Sequence, residues 1–191
     1  MPLAFFTSDL HGRVGRYHAL AEAVRRQRPG AVFLGGDLLP HGLARDWDAT
    51  GSGESFIAGF LAPLLADLRD ELASAAPHIF LILGNDDPHG AQAEILDGER
   101  HGLWTYVHGR RAEWADHAVY GYNCVPPTPF LMKDWERYDV SRFVEPGCIR
   151  PDQGQRGDGL EPHEIRWTTI QAELQQMTGD SAADRPCLDH L

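Results

Sequence analysis

Three short apolar runs, each followed by turn residues, set the strongest limit on how this chain can fold. They lie at residues 3–7, 31–34 and 78–83. None of them alternates between apolar and polar residues, as a strand with one solvent-exposed face would. Continuous apolar strands are typical of a parallel sheet that is covered on both faces. We therefore predict an α/β protein whose first three strands run parallel, with Phe5 and Phe6 in its core.

Helical periodicity separates the three runs. Between the first two, apolar residues recur at spacings of three and four, namely Val14, Tyr17, Leu20, Ala21 and Val24. A second and stronger stripe follows, consisting of Phe56, Ile57, Phe60, Leu61, Leu64, Leu65, Leu68 and Leu72. Both stripes predict amphipathic helices, the second with Ser52 or Ser55 as its N-cap. The order strand, helix, strand thus repeats, and we expect right-handed crossovers.

The pattern changes after the third run. Pro88 is predicted to be the first residue of a short third helix, with Asp86 or Asp87 as its cap, because proline is favoured at that position. Residues 103–124 then form short, partly alternating segments that are interrupted by glycine and polar residues. Such segments are typical of antiparallel strands, which we expect to be added to the first sheet or stacked on it.

Regular structure is expected to decrease toward the end of the chain. Residues 125–159 are rich in proline and glycine, which indicates a long surface excursion. The aromatic residues predicted to anchor it are Phe130, Trp135 and Tyr138. One more helix is predicted to begin at Glu161 and Pro162, and residues 178–191 are expected to be a loose tail or a truncated edge. Residues 1–191 are interpreted as one domain, because no linker divides the chain.

The composition argues against several classes of protein. A net charge of −11 provides no basic surface for a phosphate backbone, so stable nucleic-acid binding is not expected. No apolar run is long enough to span a bilayer, and no basic segment precedes the first run, so we predict no membrane association and a cytoplasmic location. The cysteines are odd in number and widely spaced, which predicts reduced thiols; they are Cys124, Cys148 and Cys187.

Groups that bind divalent cations follow each apolar run. Asp9 and His11 come after the first run, Asp37 after the second and Asn85 after the third. The carboxyl ends of adjacent parallel strands meet at one edge of a sheet, so we expect these side chains to share one site. Asp9 and His11, two apart on a segment predicted to be extended, would face the same side and hold one ion. Asp37 would bridge to a second ion, which Asn85 would hold.

Three short blocks carry this chemistry: Asp9-Leu10-His11, Gly36-Asp37, and Gly84-Asn85 with Asp87. They resemble the DxH, GD and GNH(D/E) blocks of the calcineurin-like metallophosphoesterase superfamily. The resemblance covers residues 3–89 closely and the strands to about Cys124 more loosely. It implies two divalent metal ions, manganese first, with iron, zinc or nickel as alternatives. It also implies that a metal-bound hydroxide hydrolyses phosphomonoesters or phosphodiesters, either small molecules or nucleotides.

Two departures from the family bear on catalysis. The family places a histidine after the asparagine, where it assists the leaving oxygen, and here that position is Asp86. Two nearby cations would lower the pKa of Asp86 and make it a poor general acid, so His89 and His41 are candidates to replace it. This favours a phosphodiester or a good leaving group. The family's later histidine and GHxH block are absent, and we expect His163 and His190, the histidines in that part of the chain, to be surface residues.

Two alternatives to this hydrolase remain open. The same fold could be a catalytically impaired interaction or scaffold protein, which the missing histidines favour. A nucleotide-binding α/β domain without metal chemistry would need a GxGxxG or GxxxxGK(S/T) loop, and neither occurs. Asp9, Asp37 and Asn85 each have a simpler explanation as turn or cap residues. Those explanations do not account for why all three are expected at the same edge of the sheet. His101, His108 and His117 are assigned to the later strands as exposed or core residues.

Overall fold

The first four strands of the computed structural model, which describes residues 2–40 and 54–179, form one parallel sheet. In the order of the sheet they are β1 (Ala4–Thr7), β2 (Ala31–Gly35), β3 (His78–Ile82) and β4 (Thr105–Tyr106). A separate antiparallel hairpin consists of β5 (Arg110–Trp114) and β6 (His117–Gly121). The predicted α/β class, with parallel strands first and antiparallel strands after them, is therefore confirmed.

The predicted helices connect the parallel strands. They are α1 (Val14–Gln27), α2 (Ala62–Leu72), which continues from a π-helical turn at Ile57–Leu61, and α3 (Gln92–Arg100). Arg28 ends α1 in a left-handed conformation, directly before Pro29. Ser55 caps the second helix as predicted, because its hydroxyl accepts a hydrogen bond from the backbone N–H of Ala58 at 3.1 Å. Ser52, the other candidate cap, lies outside the described residues.

The core has two parts, one on each face of the sheet. One face of β2 and β3 contributes Val32, Leu34, Ile79 and Leu81, which pack with residues of α1, α2 and α3. On the other face, Phe33 stacks on Phe80 with ring centroids 5.2 Å apart, and Trp114 of the hairpin meets Phe33 edge-on. Helices cover one face of β2 and β3 and the hairpin covers the other, which explains why the apolar runs of these strands are continuous.

The edge strand β1 does not follow this pattern. Phe6 is 73% exposed, so the predictions that β1 is buried on both faces and that Phe6 belongs to the core are wrong. The reason is position: β1 lies at the end of the sheet, whereas the hairpin packs against Phe33 and Phe80 of the inner strands. The ring of Phe6 lies beside Gly35 of β2, where a side chain would collide with it.

Two local predictions after β3 need correction. Residues 105–106 form the parallel strand β4, where an antiparallel strand was expected, because α3 returns the chain to the same end of the sheet. Pro88 is extended and α3 begins only at Gln92, after a 3-10 turn at His89–Ala91. Asp87 does not cap this turn, because its carboxylate is turned inward toward the loop after β2.

The predicted surface excursion at residues 125–159 is in part a buried polar structure. Trp135 and Tyr138 anchor it as expected, with 3% and 1% of their surface exposed, but Phe130 is 62% exposed and anchors nothing. Charged side chains fill much of its interior, a feature the sequence analysis missed; they are Lys133, Asp134, Glu136 and Arg137. Lys133 pairs with Glu136, and Arg137 lies near Asp158. The Asp134 carboxylate accepts backbone N–H bonds instead, so each of these buried charges has polar partners.

Two short helices take the place of the single one predicted at the end. They are α4 (Pro162–Ile165) and α5 (Ile170–Gly179). A capping box explains the start of α4, since the side chain of Glu164 accepts a hydrogen bond from the backbone N–H of Glu161 at 2.8 Å. Cys124 and Cys148 are free thiols, and Cys187 lies outside the described residues. None of the described helices has the length and apolar character that crossing a membrane requires.

Candidate metal centre

The loops that follow β1 and β2 are joined by backbone hydrogen bonds. Asp9 N–H donates to Gly36 O at 3.1 Å, His11 N–H to Asp37 O at 2.8 Å and Gly12 N–H to Leu38 O at 2.7 Å. The two loops therefore continue the pairing of the strands beyond the edge of the sheet. Their polar side chains emerge at the carboxyl ends of the strands, which is the edge predicted from the sequence.

Three candidate ligands adopt a left-handed backbone conformation. The φ angles are 57° at Asp9, 49° at His11 and 53° at Asp37. Such angles are uncommon for residues other than glycine, cost about 1 kcal/mol or more, and cluster at functional sites. The prediction that Asp9 and His11 lie on an extended segment is therefore wrong. The two side chains converge because the backbone turns left-handed at each of them.

Asp9, His11 and Asp37 bring their donor atoms together. Each offers one ligand atom, and these atoms lie within 4.8 Å of one another. His11 Nε2 is 3.8 Å from Asp9 Oδ1. An ion about 2.0 to 2.2 Å from each donor spans up to roughly 4.4 Å between them, so small side-chain movements suffice for coordination. Two carboxylates and an imidazole thus fit a divalent transition-metal ion in both chemistry and spacing.

Asp37, in the loop that follows β2, directs its carboxylate toward the loop that follows β3. Its Oδ1 accepts a hydrogen bond from Asp86 N–H at 2.9 Å. A Cβ on Gly84 would lie 2.2 Å from the same oxygen, so glycine is needed for this close approach. Burial raises the pKa of Asp37, as do the negative charges of Asp86 and Asp9, while the Asp86 N–H and His11 act in the opposite direction. A cation beside it would relieve this unfavourable charge.

Asn85 and Asp86 extend the cluster toward β3. Asn85 Nδ2 donates to Asp86 Oδ1 at 3.1 Å, and Asp86 Oδ2 is 3.9 Å from His11 Nδ1. Asp86 therefore lies beside the ring nitrogen of His11 that does not face Asp9. A carboxylate that accepts a hydrogen bond from this nitrogen orients a metal-binding imidazole, and Asp86 would need to approach by about 1 Å to do so. The structure thus brings Asp9, His11, Asp37 and the loop of Asn85 and Asp86 to one edge of the sheet.

Asp87 has a role that the sequence analysis missed. It is 1% exposed, and its carboxylate accepts three backbone N–H bonds, from Leu38 at 3.1 Å, Leu39 at 2.7 Å and Gly84 at 2.9 Å. Burial raises the pKa of Asp87 to about 6, and these bonds oppose that rise. Asp87 therefore ties the loop after β3 to the loop that carries Asp37. Two consecutive aspartates before a proline hinted at a turn, but not at an inward side chain.

His89, which was suggested for proton transfer, and the other histidines considered in the sequence occupy different surroundings. The ring of His89 lies against the indole of Trp135, with centroids 5.1 Å apart, and its backbone N–H donates to Asp134 Oδ2 at 2.8 Å. His108 Nδ1 accepts a hydrogen bond from Asn123 N–H at 3.0 Å. Burial lowers the pKa of His108 to about 4, and the positive charge of Arg137 contributes. His163 is exposed on α4. His41 and His190 lie outside the described residues.

The structure also contains a groove that does not lie at this edge. It has a volume of about 300 Å³ and lies at the opposite end of the sheet, where His78 begins β3 and Thr105 begins β4. None of the candidate ligands lines it.

Comparison with known proteins supports the fold alone. No protein-family model and no curated protein matches the sequence. One crystal structure aligns over 97% of this chain with a TM-score of 0.50 and 13% identity, and this chain spans 66% of that structure's length. The crystal structure of TT1561 of Thermus thermophilus aligns over 95% of this chain and 78% of its own, with a TM-score of 0.44 and 13% identity. The first likeness agrees with the α/β architecture described above.

Proposed function

We propose that this protein is a metal-dependent phosphoester hydrolase of the calcineurin-like metallophosphoesterase kind. One observation carries the proposal: Asp9, His11 and Asp37 bring one donor atom each to within 4.8 Å of one another at the carboxyl edge of a parallel sheet. In its support, all three adopt left-handed backbone angles, which are enriched at active sites.

The proposed centre holds two divalent ions, manganese first, with iron, zinc or nickel as alternatives. Asp9 and His11 would hold the first ion, Asp37 would bridge, and Asn85 would hold the second through its amide oxygen. The contact of the Asp37 carboxylate with the loop of Gly84 and Asp86 supports its bridging role. When bound, such ions offset the charge of the phosphoryl oxygens and activate water.

The residues around the ligands have proposed roles of their own. Asp86 faces His11 Nδ1 at 3.9 Å, which suits orientation of the imidazole better than protonation of a leaving group. His89 and His41 remain the candidates for assisting the leaving oxygen. Without a histidine at position 86, we expect a preference for phosphodiesters or esters with good leaving groups. Small phosphoesters or nucleotides are the proposed substrates, and we expect the protein to act in the cytoplasm.

A hydrolysis assay tests this proposal. Pure protein with manganese should cleave bis-p-nitrophenyl phosphate, and Asp37→Asn should lower the rate at least about a hundredfold, because it weakens both ion sites. Asp70→Asn is the matched control, since Asp70 is an exposed carboxylate on α2. The absence of turnover in the wild type, unchanged by Asp37→Asn, would instead favour the scaffold alternative on the same fold.

A further inference from the structure

We propose that Asp134 and Trp135 are positioning residues that hold the loop carrying Asn85 and Asp86 beside Asp37. This inference rests on the proposed function, because it concerns the loop that would hold the second ion. It adds two residues that lie far along the chain from every candidate ligand.

The two side chains bind the loop on either side of Pro88. Trp135, 3% exposed, donates its indole Nε1–H to the backbone oxygen of Asp87 at 2.8 Å. Asp134, 5% exposed, accepts the backbone N–H of His89 through Oδ2 at 2.8 Å. The N-cap residues of the 3-10 turn at His89–Ala91 and of α3 form no capping hydrogen bond with their own side chains. Asp134 therefore supplies the cap from a distant segment.

The loop that Asp134 and Trp135 hold is hydrogen-bonded to the loop that carries Asp37. The residue bound by the indole, Asp87, receives three backbone N–H bonds at its carboxylate, two of them from Leu38 and Leu39 directly after Asp37. The preceding residue, Asp86, donates its N–H to Asp37 Oδ1 at 2.9 Å. Displacing residue 87 would therefore move both the amide of Asp86 and the hydrogen bonds that fix the loop of Asp37.

The segment that presents Asp134 and Trp135 is itself held by buried charges. Lys133 and Glu136, 0% and 1% exposed, pair at 2.6 Å between Nζ and Oε2. Lys133 Nζ also donates to Thr128 O at 2.8 Å. Buried ion pairs gain little net free energy because desolvation offsets their attraction. The role of the Lys133–Glu136 pair is to fix the turn at residues 133–136, so that the side chains of Asp134 and Trp135 point inward.

Two tryptophan variants separate positioning from general stability. Trp135→Phe keeps most of the ring packing and removes the indole donor. Trp104→Phe is the matched control, because buried Trp104 also donates its Nε1–H to a backbone oxygen, that of Ile95, at 2.8 Å. In metal-free protein, Trp135→Phe should accelerate amide hydrogen exchange of Asp86 and Asp87 about fivefold, as expected for one lost hydrogen bond. Trp104→Phe should leave those amides unchanged.

A manganese titration followed by electron paramagnetic resonance gives the second readout. In Trp135→Phe the second ion should bind about tenfold more weakly while the first is unchanged, and Trp104→Phe should alter neither. Asp134→Ala should loosen the hydrogen bonding of the His89 amide and weaken binding of the second ion in the same way. Asp134→Asn keeps one acceptor oxygen for His89 N–H but directs its NH2 toward Gly157 N–H, so it should restore both only in part.

Equal exchange in the two tryptophan variants, or unchanged exchange in Trp135→Phe, would overturn the positioning role. If the wild type binds no manganese, the proposed function fails. The exchange comparison still decides whether the indole holds the loop, so the two failures are distinguishable.

Discussion

Asp37 accepts, at its carboxylate Oδ1, a hydrogen bond from the backbone N–H of Asp86 at 2.9 Å. This bond links the loop after β2 to the loop after β3, and the loop after β1 is joined to the former by the bond from His11 N–H to Asp37 O. Backbone hydrogen bonds thus hold the three loops that carry the candidate ligands together. Changes that move these loops should affect metal binding even where no ligand is removed.

Gly84→Ala should disrupt the candidate centre without removing a ligand. The added Cβ would lie 2.2 Å from Asp37 Oδ1 and 2.4 Å from Asp37 N, so Asp37 must move. We expect manganese affinity, measured by titration calorimetry, to fall at least about tenfold. Gly15→Ala in α1 is the control, because nothing lies within 4 Å of its added Cβ. Unchanged affinity in Gly84→Ala would contradict the position assigned to Asp37.

Asp87→Asn should lower the free energy of unfolding by about 2 kcal/mol or more at pH 7. The carboxylate accepts three backbone N–H bonds in a buried site, whereas an amide offers one oxygen and adds a donor. Urea denaturation measures the difference. The same change at Asp67, an exposed residue of α2, should have almost no effect. Equal losses in the two variants would show that Asp87 does not tie the loops together.

His108 should make the protein less stable in mild acid. Burial lowers the pKa of His108 from 6.5 to about 4, so its contribution is complete above pH 6.5 and is lost as pH falls toward 4. Asp87 has the opposite effect. Burial raises its pKa from 3.8 to about 6, so its contribution to the free energy of unfolding decreases as pH rises through that range. A single-site variant is therefore needed to isolate His108.

His108→Asn keeps an acceptor for Asn123 N–H but cannot gain a proton in this range. The stability advantage of the wild type over this variant, measured by urea denaturation, should shrink by about 2 kcal/mol between pH 7 and pH 4.5. A constant difference across that range would show that His108 is not kept neutral by burial.

Phe6 and Phe80 should respond very differently to truncation. Phe80→Ala removes a ring that is 1% exposed and should cost about 3 to 5 kcal/mol of unfolding free energy. Phe6→Ala, at a side chain that is 73% exposed, should cost less than about 1 kcal/mol. Thermal or urea unfolding distinguishes the two, and a large loss at Phe6 would mean that this face of β1 is covered in solution.

The strands and helices that the sequence predicted best are those with long apolar patterns. β2, β3 and α1 follow directly from apolar runs and spacing, because each is covered on the faces that the pattern marks. The direction of β4 was not predictable in the same way, since a strand of two residues has no pattern of its own. Its direction depends on where α3 returns the chain.

The sequence predicted which residues form the cluster at the edge of the sheet, but not which residues support it. Asp9, His11 and Asp37 are recognisable because each stands directly after a strand, whereas their left-handed angles are not visible in the sequence. Lys133 and Glu136 were missed because charged residues in a proline-rich stretch usually face solvent. Their burial depends on mutual pairing and on contacts that only the folded chain provides.

Anomalous scattering from crystals soaked in manganese tests whether Asp9, His11 and Asp37 form a metal centre. We expect two peaks about 3.5 to 4 Å apart, on either side of the Asp37 carboxylate, with one also beside Asp9 and His11. The Asp37→Asn protein, crystallised in the same way, should lose at least one of them. Manganese at full occupancy elsewhere, or no peak at this edge of the sheet, would contradict the metal centre.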